Sequence, residues 1–358
     1  MGTLATTGPK TIKNVTKSLS SRSQFYDYLT PCSLYWLVAP GFEKMTIFDR
    51  LIGIQHFLFD KVPPGVPEVP PKPRKRNPWL KDGRPVVAKV NNENNIRKSI
   101  DRVLDTLGPL NLAISRGDKV LIKPNFNSDD PPPASTDLTF LKAIVEILKE
   151  SGAIVTIGES SGGIWRPTER VFNRLNLPDI ARGLGVGLTA FEAKSNEWVK
   201  IRIDGEYLHL VVMPRAAYEA DRLVYLPCLK THRLARYSGA LKLAFGFVNP
   251  GQRRAFHFKY REEKLAEISL CWQPDLIIVD GRKAFVTGGP QAGQVATPNV
   301  MLASGDLVAI DVEAVKVLLS YRARNHLLSD PWLLPQIKTA VSQKLGAGRD
   351  GYVLIHST

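Results

Sequence analysis

Cysteine is scarce: the 358 residues hold three, Cys32, Cys228 and Cys271, and none makes a C-x-x-C pair. That excludes an iron–sulfur or zinc framework and a disulfide scaffold within the sequence. It points to a reducing, cytoplasmic compartment. Long apolar runs are also missing. Residues 25–60 are rich in aromatic and aliphatic side chains, but Pro31, Pro40 and Gly41 interrupt them. No stretch reaches the roughly 20 residues that span a bilayer. Acidic residues are the third shortage, 34 against 48 Lys and Arg, for a net charge of +14. Such a balance favours acidic partners. No basic stretch is interleaved with aromatics in the manner of a nucleic-acid module, so nucleic acid is not an expected partner.

The positive charge is concentrated. Residues 1–80 carry a surplus of six and residues 230–264 a surplus of seven, thirteen of the fourteen together. The second cluster falls on Leu229-Lys230-Thr231-His232 and Ser238-Gly239-Ala240-Leu241-Lys242. Lysine is rarely buried without a partner, and small residues let a ligand approach the backbone. This stretch reads as an anion-handling site at the end of a strand. A solvated basic face is the alternative.

The chain divides into three parts. Residues 1–60 form an N-terminal arm. Its first 24 residues are rich in Ser, Thr and Lys and read as a disordered terminus. The loose myristoylation and transit-peptide patterns there are common by chance. Ile47, Phe48, Leu51, Ile54 and Leu58 then follow helical spacing. That helix either docks on the main domain or lies on a membrane surface or protein partner. Residues 61–84 form a Pro-rich linker with a basic knot at 72–76, extended and solvated. From residue 85 to 358, apolar strands alternate with amphipathic helices. This predicts an α/β fold with a mostly parallel sheet covered on both faces. Strands are expected near 119–123, 154–158, 222–226, 275–280 and 299–303, sharing one sheet. A hairpin is expected around Asp204-Gly205.

In open α/β sheets ligands bind beyond the carboxyl ends of strands. Polar residues collect there at Lys123-Pro124-Asn125, Glu159-Ser160, Lys230-Thr231-His232, Asp280-Gly281 and Ser304-Gly305-Asp306. They are expected on one edge. Lys123, Lys230, Arg253 and Arg254 would neutralise a carboxylate or phosphate, with Asn125, Thr231 and Ser238 completing the binding set. His232 is the candidate general acid/base, and Glu159 the second choice. Lys242 would bind an anion or act as a nucleophile of lowered pKa. A helix starting at Ser238 would aim free backbone N–H groups at the ligand. Asp306 reads as a helix N-cap, and Asp311 as a helix-surface or core-pairing residue.

Together these motifs resemble the family called domain of unknown function 362. Lys-Pro-Asn at 123–125, Gly-Glu-Ser at 158–160, Leu-Lys-Thr-His at 229–232 and Ser-Gly-Ala-Leu-Lys at 238–242 carry the likeness. So do Asp-Gly at 280–281, Gly-Gly-Pro at 288–290 and the run at 304–311. The likeness spans about residues 85–320. It implies no established activity. Some members add a ferredoxin-like module, whose cysteines this chain lacks. A second segment is similar to the nickel-pincer lactate racemase family: His232, residues 238–242, Pro250-Gly251 and His257 follow in the same order. That resemblance implies that Lys242 holds the pincer cofactor and that His257 ligates the metal. Ala240-Leu241 and Glu159 depart from its pattern, so it implies kinship of fold and site rather than of reaction.

Three functions follow as expectations. The first is an enzyme acting on a small anion by proton transfer next to a carboxylate, in the manner of an isomerase or racemase. The second is a non-catalytic anion-binding module held at a membrane or complex through residues 25–60. The third is a redox protein partnered with a separate iron–sulfur protein.

Overall fold

A computed structural model describes residues 45–193 and 197–357. The expectations for residues 1–44 lie outside the described residues. The remainder of the arm is helix α1, Ile47–Phe59, opened by a Thr46–Asp49 capping box.

Ten strands form the frame. They are β1 Arg84–Asn91, β2 Lys119–Lys123, β3 Ile154–Glu159, β4 Gly187–Ala190 and β5 Arg222–Tyr225. Then come β6 Cys228–His232, β7 Arg236–Ser238, β8 Leu276–Phe285, β9 Val300–Ser304 and β10 Val353–Ser357. The main sheet runs β10-β1-β9-β8-β5-β2-β3-β4. Its neighbours are parallel except at β9, which is antiparallel to both β8 and β1. All five expected strands lie in this sheet, and the fold is α/β. The hairpin around residues 204–205 also forms, as Trp198–Arg202 against Leu210–Pro214, in a separate three-stranded sheet.

Strand side chains alternate between faces, so each strand feeds two cores. Leu121, Leu223 and Tyr225 enter one. Val120, Ile122 and Val224 enter the other. Helices α2, Ile96–Leu107, and α3, Leu138–Glu150, cover the second face with Ile100, Val103, Leu141 and Ile144. Asn95 and Asp137 cap them. The other face takes α4, Leu307–Leu319, capped by Asp306 as expected.

Two expectations change here. Because β9 runs backwards, Ser304 pairs with Ile277 near the start of β8. Ser304-Gly305-Asp306 therefore lies at the edge opposite the other four polar groups, and Asp280 falls inside the long strand β8 rather than at its end. Residues 61–84 are extended and mostly exposed, and they are also strapped to the domain. Glu68–Val69 adds to Trp198–Arg202, Leu80–Lys81 pairs with β1, and Lys75 meets Asp275 at 2.9 Å.

Candidate functional site

The chain leaves β2 at Lys123, whose side chain is buried and whose ammonium donates to Pro124 O at 2.8 Å. It also pairs with Glu159 at the end of β3. The Glu159 carboxylate accepts from Phe126 N and Ser160 N, both at 2.8 Å. Burial pulls the Lys123 pKa down, and Glu159 opposes that. Glu159 is therefore a committed counter-ion rather than a free acid/base. The pair forms the floor of the site.

Beside it, β6 and β7 form a hairpin that sets Lys230 opposite Ser238. Lys230 is buried and donates to Ala134 O; burial lowers its pKa. Thr231 donates to Phe285 O at 3.1 Å, turned toward β8. Lys230 and Thr231 thus stand behind the cavity wall and do not line it.

His232 is placed differently from the general acid/base expected. Its Nδ1 accepts N–H from both Leu234 and Ala235 at 3.1 Å. A ring nitrogen that accepts carries no proton, so the proton sits on Nε2. Burial, followed by the fields of Lys242 and Lys230, holds its pKa well below the ordinary value. His232 is a neutral donor toward the cavity. Protonating it would break both backbone bonds.

The start of the next helix, α5 Ala240–Leu243, is occupied from inside. Asp311 of α4 accepts from Ala240 N at 2.6 Å, Leu241 N at 3.0 Å and Tyr237 OH at 3.1 Å. A Cβ at Gly239 would lie 2.3 Å from Asp311 Oδ1, so glycine is required there. The backbone N–H groups expected to face a ligand are spent on Asp311. Burial pushes that carboxyl up to about 6 despite its three donors.

Lys242 is the group left over. The residue is half-buried, and its side chain lines both cavities described next. Among the described residues no carboxylate pairs with it. Burial, then the fields of Lys230, Lys123, Arg253 and Arg261, bring its pKa down to about 7.

Lys242 joins two cavities. The larger, ≈ 90 Å³, is also lined by His232, Arg253, Arg254, His257 and Arg261. The smaller, ≈ 40 Å³, is lined by Lys123, Asn125, Glu159, Ser238, Lys242 and Arg253 among others. The larger wall holds five cationic side chains, counting Arg166, and no carboxylate. Arg253 spends its guanidinium on four carbonyls, Val248 and Ser161 at 2.8 Å, Gly246 at 3.1 Å and Ser160 at 3.4 Å. It supplies field and rigidity more than a free clamp, and burial lowers its pKa to about 10. Arg254 donates to Leu58 O at 2.5 Å. His257 stands edge-on to Phe245 at 6.4 Å, and burial beside Arg261 lowers its pKa to about 4.

Several lining residues escaped the sequence reading, among them Phe57, Arg166 and Arg261. Arg261 sits within the basic stretch that the sequence does mark. Phe57 enters because α1 roofs the cavity. Gly53 of α1 packs on the turn Gly163–Trp165, where a Cβ would meet Ile164 O at 2.1 Å. Asp49 binds Arg174 at 2.8 Å and Arg170 at 3.3 Å, and Asp60 pairs with Arg166.

The motifs that line these cavities lie within residues 120–316, which match the family described as Domain of unknown function (DUF362). The chain belongs to this family. A curated relative is the thylakoid-associated protein sll1697 of Synechocystis sp. (strain ATCC 27184 / PCC 6803 / Kazusa), 26% identical over 230 residues. The match covers 62% of this chain and 69% of that protein. Among solved structures, the lactate racemase apoprotein from Thermoanaerobacterium thermosaccharolyticum is 14% identical, with a TM-score of 0.33. The match covers 57% of this DUF362 chain and spans about half of the racemase, 52%. A likeness at that score carries no argument about the site.

The motif order at His232, 238–242 and His257 implies a metal-pincer group. Lys242 and His257 do share the larger cavity. His232, however, has turned Nδ1 to the backbone and carries its proton on Nε2, which leaves no lone pair for a metal. Among the described residues no group of three or more His, Cys, Asp or Glu could hold an ion. The cavity of ≈ 90 Å³ is small beside the roughly 300–1,000 Å³ of drug-sized and cofactor sites. These residues do not fit a metal-pincer centre.

Proposed function

We propose that this DUF362 chain is an enzyme acting on a small organic anion, with Lys242 as the central group. One observation carries the reading: an ammonium without a carboxylate partner among the described residues, in a cavity lined by five cations and no acid. Burying a cation costs several kcal/mol unless something compensates it. An incoming carboxylate or phosphate is that compensation.

The same arrangement supports proton transfer beside a carboxylate. In the free site an amine with a pKa near 7 is about half unprotonated at neutral pH; a bound anion raises that value, so the general base is the neutral fraction that remains. Lys242 Nζ takes the proton from the carbon next to the carboxylate. The C–H bond breaks, an N–H bond forms, and the electron pair moves onto the carboxylate oxygens. His232 Nε2–H donates to the developing oxyanion without being deprotonated. The Arg253, Arg254 and Arg261 field offsets the added charge. Return of the proton to the other face of the carbon would invert it.

The test is proton exchange. Simple carboxylates and 2-hydroxy acids, lactate included, are incubated with the protein in D₂O, and the α-proton is followed by NMR. Exchange should occur for at least one acid and vanish in Lys242→Met. If no acid exchanges and Lys242→Met retains full anion affinity, the reading fails.

A second reading concerns where the protein works. On α1, Ile47, Phe48, Leu51 and Phe59 are 77%, 71%, 61% and 69% exposed. Large exposed apolar patches mark interaction surfaces. Among the described residues no helix is long and apolar enough to cross a membrane. With a relative named thylakoid-associated, this supports peripheral attachment to a membrane through the outer face of α1. The double substitution Phe48→Ser, Leu51→Ser should then abolish co-sedimentation with anionic lipid vesicles; unchanged sedimentation would refute the attachment.

A further inference from the structure

The wall of the larger cavity is divided by chemistry. Lys242 and Arg253, with Phe245 beside them, stand where it meets the smaller, polar cavity; Phe57, Phe256 and Leu265 line the larger space only. Phe245 and Phe256 pack edge-on at 5.2 Å. A purely polar anion would leave these four apolar side chains against water. Such a boundary between polar and apolar wall is what orients a ligand that has both parts.

Size sets a second bound. The two cavities share Asn127, Lys242, Phe245 and Arg253, and so adjoin. Their ≈ 90 Å³ and ≈ 40 Å³, at the roughly 10–15 Å³ needed by a water-sized group, hold roughly nine to thirteen heavy atoms. The roof is the third consideration. Phe57 belongs to α1, which lies outside the matched residues 120–316. Helix α1 is fastened over the cavity by Asp49, Asp60 and the Leu58 carbonyl. The apolar end is thus closed by an element beyond the shared family region.

We infer that the ligand of this site is an amphipathic anion of about ten heavy atoms. Its charged head rests on Lys242, and its aliphatic or aromatic body lies under Phe57, which sets the length accepted. This inference rests on the anion reading above and deepens it. Carboxylate and phosphate heads share the chemistry that Lys242 recognises, and the experiment separates them.

The test is calorimetric titration of the full chain with butanoate, hexanoate, octanoate and dodecanoate, and with hexyl phosphate. Affinity should rise about three- to fourfold per methylene up to octanoate and then level off, because the cavity is full. Hexyl phosphate binding more tightly than hexanoate would assign a phosphate head, and the reverse a carboxylate. Phe57→Ala should cut the octanoate-to-butanoate affinity ratio about tenfold. Phe57→Leu should keep most of it, and melting curves confirm that both variants fold. Equal affinity for all chain lengths would overturn the apolar compartment while leaving the anion reading intact. A slope that continues unchanged to dodecanoate would mean surface adsorption, and would also overturn it. An undiminished slope in Phe57→Ala would overturn the role of the roof. Binding of none of the anions would defeat both readings together.

Discussion

At the amino ends of β2, β5 and β8, Arg222 lies between Asp118 and Asp275, at 2.8 and 3.2 Å, and Lys75 meets the same Asp275 at 2.9 Å. At the carboxyl ends of β2 and β3, and in the hairpin after β5, the balance is different. Lys123 has Glu159, but Lys230 rests on a carbonyl, Arg253 on four, and Lys242 on no carboxylate among the described residues. The two clusters use the same side chains on one sheet. In the first, charge is matched and serves to hold the linker and strands together. In the second, cations are enclosed in excess and their pKa values are driven down. A matched cluster is complete within the chain. An unmatched one, on the proposed reading, is completed by an anion.

The sharpest break of this comparison is Lys242→Met. Losing a charged anchor from a buried site costs about 2–5 kcal/mol of binding. Titration should show that loss, while the melting temperature stays level or rises because a buried, uncompensated charge is gone. A smaller effect is expected at the support beneath. Asp311→Asn leaves a weaker acceptor for three donors, and should cost about 1–3 kcal/mol in denaturant unfolding. It should also weaken ligand binding, because α5 carries Lys242. At the matched end, Arg222→Met should lower stability by about 1 kcal/mol and leave binding untouched, since its side chain is a quarter exposed. Loss of ligand in Arg222→Met would erase the contrast between the ends.

The last effect is in pH. Lys242 has a folded pKa near 7 against an ordinary 10.5. Between those values the unfolded chain holds a proton that the folded chain has lost, so stability rises with pH. Below pH 7 both states are protonated and the full cost of burial is felt. Lys123 and Lys230 shift in the same direction. The slope of stability from pH 7 to 10 should therefore be shallower, not absent, in Lys242→Met. An identical slope would show that the Lys242 ammonium is not partly buried among cations.

The strands were legible because apolar runs such as Val120–Ile122 are bounded by charge and turn residues, and the helices because Asp137 and Asp306 announce their starts. The direction of β9 was less visible. Residues 286–299 contain no helix for a parallel crossover, and Val295–Ala296 folds back on β8. A closer reading of that Gly-rich link had the signal. Most side-chain roles in the site were not legible. The fate of His232 depends on two backbone N–H groups in the turn after β6. The fate of the 238–243 helix start depends on Asp311, seventy residues away along the chain. Lys242 was marked by composition alone. Its lack of a carboxylate partner is a property of packing, which spacing does not encode.

The account stands on the Lys242 ammonium being partly buried among cations and without a carboxylate partner among the described residues. The direct measurement is its titration by NMR, using ¹³C-lysine label assigned by comparison with Lys242→Met, with and without a saturating carboxylate. The account predicts a midpoint near pH 7 in the free protein, moving up by about one unit or more when the anion binds and supplies the missing charge. A midpoint at the ordinary lysine value near 10.4, unmoved by any anion, would contradict it.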